Sequence, residues 1–395
     1  MRILIIGAGM YVTGRNNTGT GTILSSIAQY SKLNEVEEVV VVARSKKNAA
    51  IIEKETNRIN QTINSQLKTS YESISSSADL ADEAMNVQGR FDAAIISVPD
   101  HLHFEYAKVL LELGVKTLIV KPLTPTLGEA LELRDIQKQT NTYAAVEFHK
   151  RWDETNLITR QFINQGKLGQ VLYYEVGYSQ RISIPLETFK GWSDKTNIFQ
   201  YLGVHYVDLF YFLTGYKPMR CMALGTNGVL KQKGIDTWDS VHVMLEWQNT
   251  KTGDLVVSNL NTNWIDPNVS SAMSDQRYKV IGTKGRLEID QKNRGVEYIS
   301  ETDGIQQMNP YFSEYLEDAN GNLQFQGYGH RSIAQFLSDV AQIESGNSTM
   351  NDFEGKRPDI QSSLVSTAVV EAVNKSLTAN GAWVNVENIE EIEWN

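Results

Sequence analysis

His205 and Asp208 stand three residues apart, a spacing that sets two side chains on one face of a helix. An imidazole titrates near neutral pH and can both take and give a proton. Asp208 is able to orient or charge-tune that imidazole, or to cap a local network. Tyr201 precedes His205 by four residues. A phenol can donate a hydrogen bond or relay a proton but cannot serve as a carboxylate orienter, and packing is an equal use for it. Lys121, directly before Pro122, carries an ammonium that could polarise a reacting oxygen and hold a nearby imidazole less basic. Together these types suit removal of a hydride from a secondary alcohol. That reaction needs a base for the departing proton, a cation or hydrogen-bond donor at the oxygen, and a hydride acceptor in register. The plain alternatives are a structural helix histidine and an exposed lysine.

The hydride acceptor has its own signature. Gly7-x-Gly9 follows an apolar run, Arg2 to Ile6, that reads as a buried parallel strand. Glycines there let the backbone turn tightly and approach a pyrophosphate, with Met10 opening the segment that follows. The third glycine of the usual fingerprint is absent, because position 12 is Val12. Met10 to Thr20 reads as a loop insertion, with Gly21 taking the third glycine's place and Thr22 opening the helix. Arg15 and the Thr and Asn side chains of the insertion suit phosphate or sugar hydroxyls, although a tolerated surface loop would read the same way. At the end of the second strand, Val39 to Ala43 runs into Arg44, Ser45 and Lys46 with no carboxylate. That end suits a ribose 2′-phosphate, so NADP(H) is expected over NAD(H).

The elements that must position these residues alternate through the first half. Strands are expected at Arg2–Ile6, Val39–Ala43, Ala93–Val98, Lys116–Val120 and Thr142–Phe148, with helices at Thr22–Tyr30, Lys46–Leu67, His103–Leu113 and Leu127–Gln139. Alternation of this kind implies a doubly wound parallel sheet, a Rossmann domain over 1–150. Lys121 then sits at the C-terminal end of a strand, where such sheets bind ligands. The Ser-rich stretch Ser70–Asp79 reads as a surface loop. The second half, 151–395, reads as α+β, with a helix over Asn156–Gln165 and another near Gly203–Leu213. Strands that alternate apolar and polar residues follow, and a closing helix at Asp359–Thr378 is able to pack back on the first domain. His205 and Lys121 would then meet in the cleft between domains.

The bulk numbers agree with an ordinary two-domain globular chain: 395 residues, 41% hydrophobic, 21% charged, net charge −10. An acidic chain without a basic cluster is a poor nucleic-acid binder. Its single cysteine, Cys221, excludes an internal disulfide and reads as a buried inert thiol. No stretch approaches the roughly 20 apolar residues needed to span a bilayer, and the N-terminal run is too short for a signal segment, so a cytoplasmic location is expected. The six histidines include His101 and His103, but no metal-ligand set surrounds them, and His101 is expected to line the cofactor crevice or cap the next helix.

Four stretches then add up: Ser97-Val98-Pro99-Asp100-His101-Leu102-His103, Val120-Lys121-Pro122, Gly203-Val204-His205-Tyr206-Val207-Asp208, and Tyr278 to Gly285. Their order and spacing resemble the glucose–fructose oxidoreductase and inositol dehydrogenase (Gfo/Idh/MocA) family over nearly the whole chain. The resemblance implies an N-terminal Rossmann domain and a C-terminal α+β domain with an open, mostly antiparallel sheet that often forms the oligomer interface, hence a homodimer or homotetramer. It implies an NAD(P)-dependent oxidoreductase acting on a hydroxyl-bearing carbon of a sugar, inositol or nucleotide-linked sugar. A minority of the family cleave glycosidic bonds with a transiently reduced cofactor, and a non-catalytic sensor is a further alternative. With the motif in place the catalytic reading of His205 and Lys121 is preferred, and Ser97, Pro99, His101, His103 and Lys121 join the cofactor-binding set. Two departures stand out: Val120 replaces the frequent acid before the lysine, and Tyr201 replaces the frequent acid before the histidine. Near the domain junction, His149, Arg151, Arg181 and Trp192 are candidates for the substrate.

Overall fold

The apolar run at the start of the chain becomes β1 (Arg2–Ile6), whose Ile3, Leu4, Ile5 and Ile6 are all buried, as a strand covered on both faces requires. A one-turn helix, α1 (Met10–Thr13), and α2 (Thr22–Ser31) lead to β2 (Glu38–Ala43). Then come α3 (Asn48–Ile63), β3 (Thr69–Ser73), β4 (Ala93–Ile96), α4 (His103–Glu112), β5 (Lys116–Val120), α5 (Leu127–Thr140) and β6 (Ala144–Glu147). The computed structural model describes residues 1–14, 20–74 and 91–386. The six strands pair in parallel in the order β3-β2-β1-β4-β5-β6, the doubly wound arrangement that the alternating pattern predicts.

The chain divides into two units. The first holds Met1–Thr124, Gly128–Trp152 and Tyr311–Ser363; the second holds Pro125–Leu127, Asp153–Pro310 and the chain from Leu364. The stretch from Tyr311 to Ser363 therefore belongs with the Rossmann sheet, where the sequence reading assigns everything from 151 onward to the second domain. The reason is α8 (Tyr328–Glu344), a helix the sequence reading omits. Its Ile333, Phe336, Leu337 and Val340 recur at helical spacing and share one core with Ile23, Leu24 and Ile27 of α2 and with Ile3, Ile5, Val39 and Val41 of the sheet. Asp339 of this helix is fully buried and accepts from Tyr143 at 2.9 Å and from Arg357 at 2.7 and 3.0 Å, which satisfies its charge.

A second correction concerns Ser70–Asp79, read as a loop. Thr69–Ser73 is β3, an edge strand laid parallel to β2; residues 75–79 lie outside the described residues. An edge strand can be polar because one side of it faces solvent, and Tyr71 ties it down with its hydroxyl 2.7 Å from the Ala43 carbonyl and 2.6 Å from the Ser45 carbonyl, its one proton shared between them.

The second unit is built on a mixed sheet of β7 (Val171–Arg181), β8 (Lys217–Thr226), β9 (Ser240–Gln248), β10 (Leu255–Asp266), β11 (Ser274–Gly282) and β12 (Arg286–Asp290), with a short strand, Val384–Asn385, at its edge. All described pairings are antiparallel except β7 with β10. Along β10 the buried residues Val256, Ser258, Leu260, Thr262 and Trp264 alternate with more exposed ones, so one face is covered. The cover includes α6 (Glu154–Asn164) and α7 (Val204–Thr214), the latter through Phe210 stacked on Tyr174 at 4.8 Å. Cys221 is buried in β8, and burial pushes its thiol up to about 12, as an inert thiol should be. Among the described residues no helix is long and apolar enough to cross a membrane, and no group of three or more His, Cys, Asp or Glu side chains could hold a metal ion.

Candidate active site

In the first unit the phosphate turn forms as its glycines require. Gly7 has φ +111°, a conformation L side chains rarely adopt, and a Cβ there would stand 2.0 Å from the Ser97 carbonyl oxygen. Gly9 faces open space and caps α1, next to the half-buried Met10. Gly21 caps α2, and a Cβ there would lie 2.1 Å from the Val12 carbonyl oxygen. The segment after Met10 is thus helical over Met10–Thr13 rather than loop throughout, and Gly14 closes that turn with φ 74°. Arg15 lies outside the described residues. Thr22 is buried, with its hydroxyl 3.4 Å from that of Ser313. A surface open at Gly9, between two close backbone approaches, fits a bound dinucleotide. Arg44, Ser45 and Lys46 are exposed directly after β2.

The C-terminal ends of β4, β5 and β6 gather the charged residues. After β4, Ser97 donates its N–H to Ile6, and Pro99 leads a short 3-10 turn over Asp100–Leu102. Asp100 is buried, accepts the His101 N–H at 2.9 Å, and lies 3.9 Å from the partly exposed His101 ring. His103, expected among the dinucleotide-binding residues, forms a buried brace. Its Nδ1 lies 2.7 Å from the Pro122 carbonyl and its Nε2 3.0 Å from that of Val98. Burial pulls its pKa down, against the opposing pull of Asp100 and of the backbone carbonyls.

Lys121 follows β5 and is buried. Burial brings its pKa from 10.5 down to about 7; Asp100 and Glu147 pull it back up, and Lys150 adds to the lowering. An amine poised there can exchange its proton near neutral pH. Glu147 ends β6 as the register partner of Val120, and it too is buried. It accepts from Ser332 at 2.6 Å and lies 3.0 Å from His149 Nδ1. The sequence carries one signal for it: a carboxylate that ends the otherwise apolar run Ala144-Ala145-Val146. The His149 ring stacks on Tyr328 at 5.7 Å and lies 5.1 Å from Phe312 and 6.4 Å from Tyr11. Lys150 and Arg151 are buried beside it in the same 3-10 turn.

In the second unit His205 and Asp208 are both buried in the first turns of α7. A π-helical turn over Phe199–Gly203 precedes them, and Gly203 packs where a Cβ would meet the Phe199 ring at 2.4 Å. The neighbouring Tyr206 is locked: it donates to Gln291 Oε1 at 2.7 Å, and Gln291 donates to Asp153 at 2.9 Å. Arg294 grips Asp153 with two hydrogen bonds of 2.8 and 3.0 Å. Tyr201 joins Trp192 (5.9 Å), Phe189 (5.0 Å) and Trp264 (5.9 Å) in an aromatic cluster; Trp192 itself lies 4.6 Å from Phe189. Arg181 ends β7 with one guanidinium nitrogen bonded to the Ser270 carbonyl.

Comparison with known proteins follows the two units. Residues 1–148 match the model of an oxidoreductase family with an NAD-binding Rossmann fold, and residues 157–288 match the GFO/IDH/MocA C-terminal domain. An uncharacterized oxidoreductase of Escherichia coli (strain K12), YhhX, is 33% identical over 147 residues, covering 37% of this chain and 41% of that protein. The scyllo-inositol 2-dehydrogenase (NADP(+)) IolW of Bacillus subtilis (strain 168) is 24% identical over 160 residues, 40% of this chain and 43% of that one. The chain spans 23% to 43% of the length of five such curated relatives. The crystal structure of apo scyllo-inositol dehydrogenase from Lactobacillus casei shares the fold with a TM-score of 0.67, at 18% identity over 98% of both chains.

Proposed function

The chain belongs to the GFO/IDH/MocA oxidoreductase family, and from that premise we propose that it transfers a hydride between a nicotinamide dinucleotide and a hydroxyl-bearing carbon of a sugar, inositol or nucleotide-linked sugar. The observation that carries the reading is Lys121: a buried lysine with its pKa brought to about 7, at the C-terminal end of β5, in the same unit as the phosphate turn. Ligands of doubly wound sheets bind at that end.

Gly7, Gly9, Met10 and Gly21 would hold the pyrophosphate, with Ser97, Pro99 and His101 along the next strand end. When bound, the dinucleotide supplies the hydride acceptor or donor. Arg44, Ser45 and Lys46 favour NADP(H) over NAD(H), because exposed cations and a hydroxyl suit a 2′-phosphate. Lys121 donates a hydrogen bond to the reacting oxygen and stabilises charge as its proton leaves. His205 is the proposed base, oriented by Asp208, with the locked Tyr206 fixing the helix that carries it. His149 and Arg151 are the proposed substrate contacts among the described residues of the first unit. The names of relatives, among them two inositol 2-dehydrogenases and a levoglucosan dehydrogenase, support a polyol or sugar substrate. The proposed assembly is a homodimer or homotetramer.

The test is a screen of sugars, inositols and nucleotide sugars with both dinucleotides, following nicotinamide absorbance and identifying products by mass spectrometry. Product with matching reduction or oxidation of the dinucleotide is expected. Product without net change would replace this reading with glycoside cleavage, and tight dinucleotide binding without any product would replace it with a sensor.

A further inference from the structure

A buried carboxylate is stable only when opposite charge and hydrogen-bond donors surround it. Glu147 is 1% exposed, and each of its oxygens is committed: Oε1 accepts from Ser332 of α8, and Oε2 faces His149 Nδ1. The 3.0 Å contact sets His149 Nδ1 as the donor to this carboxylate and orients the ring. The ring is held in turn by Tyr328, Phe312 and Tyr11. The helix α8 and the turn after β6 thus converge on one carboxylate. In the β5–β6 ladder it stands opposite Val120, the residue before Lys121. Val120 brings no charge to the lysine; the neighbouring strand does.

We propose that Glu147 is a positioning residue for the reaction centre, clamped by Ser332 and His149 so that its carboxylate is held beside the residue pair Val120–Lys121 and favours the ammonium form of the buried lysine. The groups that face Lys121 are Asp100 after β4, Glu147 at the end of β6 and Lys150 in the turn that follows, with His103 behind the Pro122 carbonyl. Asp100 also supplies negative charge, but its carboxylate is shared with the backbone and ring of His101. Glu147 is tied to His149 and, through Ser332, to α8.

The kinetic half of this inference rests on the proposed hydride transfer; the titration half does not. In the full-length protein with 13C-labelled lysine, the Lys121 signal is identified by its loss in Lys121→Met and titrated by NMR. Glu147→Gln keeps the shape and an acceptor for Ser332 but removes the charge. The Lys121 midpoint is expected to fall by roughly one unit or more, and Glu147→Asp, which withdraws the carboxylate by one methylene, should give a smaller fall in the same direction. With a turned-over substrate, the basic limb of the kcat/KM profile should move by the same amount while dinucleotide affinity stays unchanged. An unmoved Lys121 midpoint in Glu147→Gln overturns the proposal; if that variant does not fold, an unmoved midpoint in Glu147→Asp does so. A wild-type protein that turns over no polyol or sugar would sink the proposed function and leave the titration result standing.

Discussion

His103 bridges two strand ends: its ring nitrogens lie 2.7 Å from the Pro122 carbonyl and 3.0 Å from the Val98 carbonyl, so one side chain ties the loop after β4 to the loop after β5. Removing it takes the ring's N–H donor from a backbone carbonyl in a buried place and leaves the two loops without their shared spacer. His103→Ala is expected to lose about 1–3 kcal/mol from the unpaired carbonyl alone. Because Pro122 follows Lys121, turnover should fall as well. Denaturant unfolding measures the first effect and steady-state kinetics the second; wild-type stability in the variant would show that the brace is idle.

Loss of either proposed proton-handling group should cost rate rather than dinucleotide affinity. General acid–base help is worth roughly 10² to 10⁴-fold. His205→Ala and Lys121→Ala are each expected to reduce kcat by a factor in that range, with the dinucleotide Kd within about threefold of wild type. Titration by intrinsic fluorescence checks the affinity. Full activity of His205→Ala with the proper substrate would remove it from the mechanism.

Lys121 also leaves a mark on stability. Its pKa is lowered from 10.5 to about 7 on folding, chiefly by burial. Below about 7 both folded and unfolded chains hold the proton, and the cost of burying it is carried in full. Between about 7 and 10.5 the unfolded chain binds a proton that the folded one does not, so stability rises with pH across that window. Relative to Lys121→Met, which lacks the titrating group, the wild type should gain on the order of a few kcal/mol from about pH 6 to about pH 9.5. Parallel pH dependences of the two proteins would mean that the lysine is not depressed.

Arg44 is exposed at the end of β2 with no acidic residue from there to Asn48. Arg44→Ala is expected to weaken NADP(H) by about tenfold, the size of one charge-assisted contact, and to leave NAD(H) nearly unchanged. Calorimetric titration with each dinucleotide decides it. Tighter binding of NAD(H) than NADP(H) by the unaltered protein would defeat the preference itself.

The parallel sheet and its glycine turn are readable from residues close together in the chain: five apolar runs, Gly7 and Gly9, and strand ends at Ser97 and Lys121. What could not be read depends on partners far along the chain. Glu147 shows in the sequence only as an acid after three small apolar residues, and its meaning comes from Ser332, 185 positions away. His103 looks like a crevice residue by its motif, yet its nitrogens are taken by carbonyls that meet only when β4 and β5 lie side by side. The polar strand Thr69–Ser73 lacks an apolar alternation because it is an edge. Tyr201 stands where an acid is common, and its ring neighbours Phe189 and Trp264 are brought to it only by the fold.

The return of Tyr311–Ser363 to the first unit sets an order on biosynthesis. When the ribosome has released residues through β6, the sheet strands exist, but Ile333, Phe336, Leu337 and Val340 have not been made, and the apolar surface they cover is still bare. Domains that are continuous in sequence can close as they emerge; this one must wait through the whole second sheet. A fragment stopped at residue 150 would expose that surface permanently, and self-association would be its expected fate.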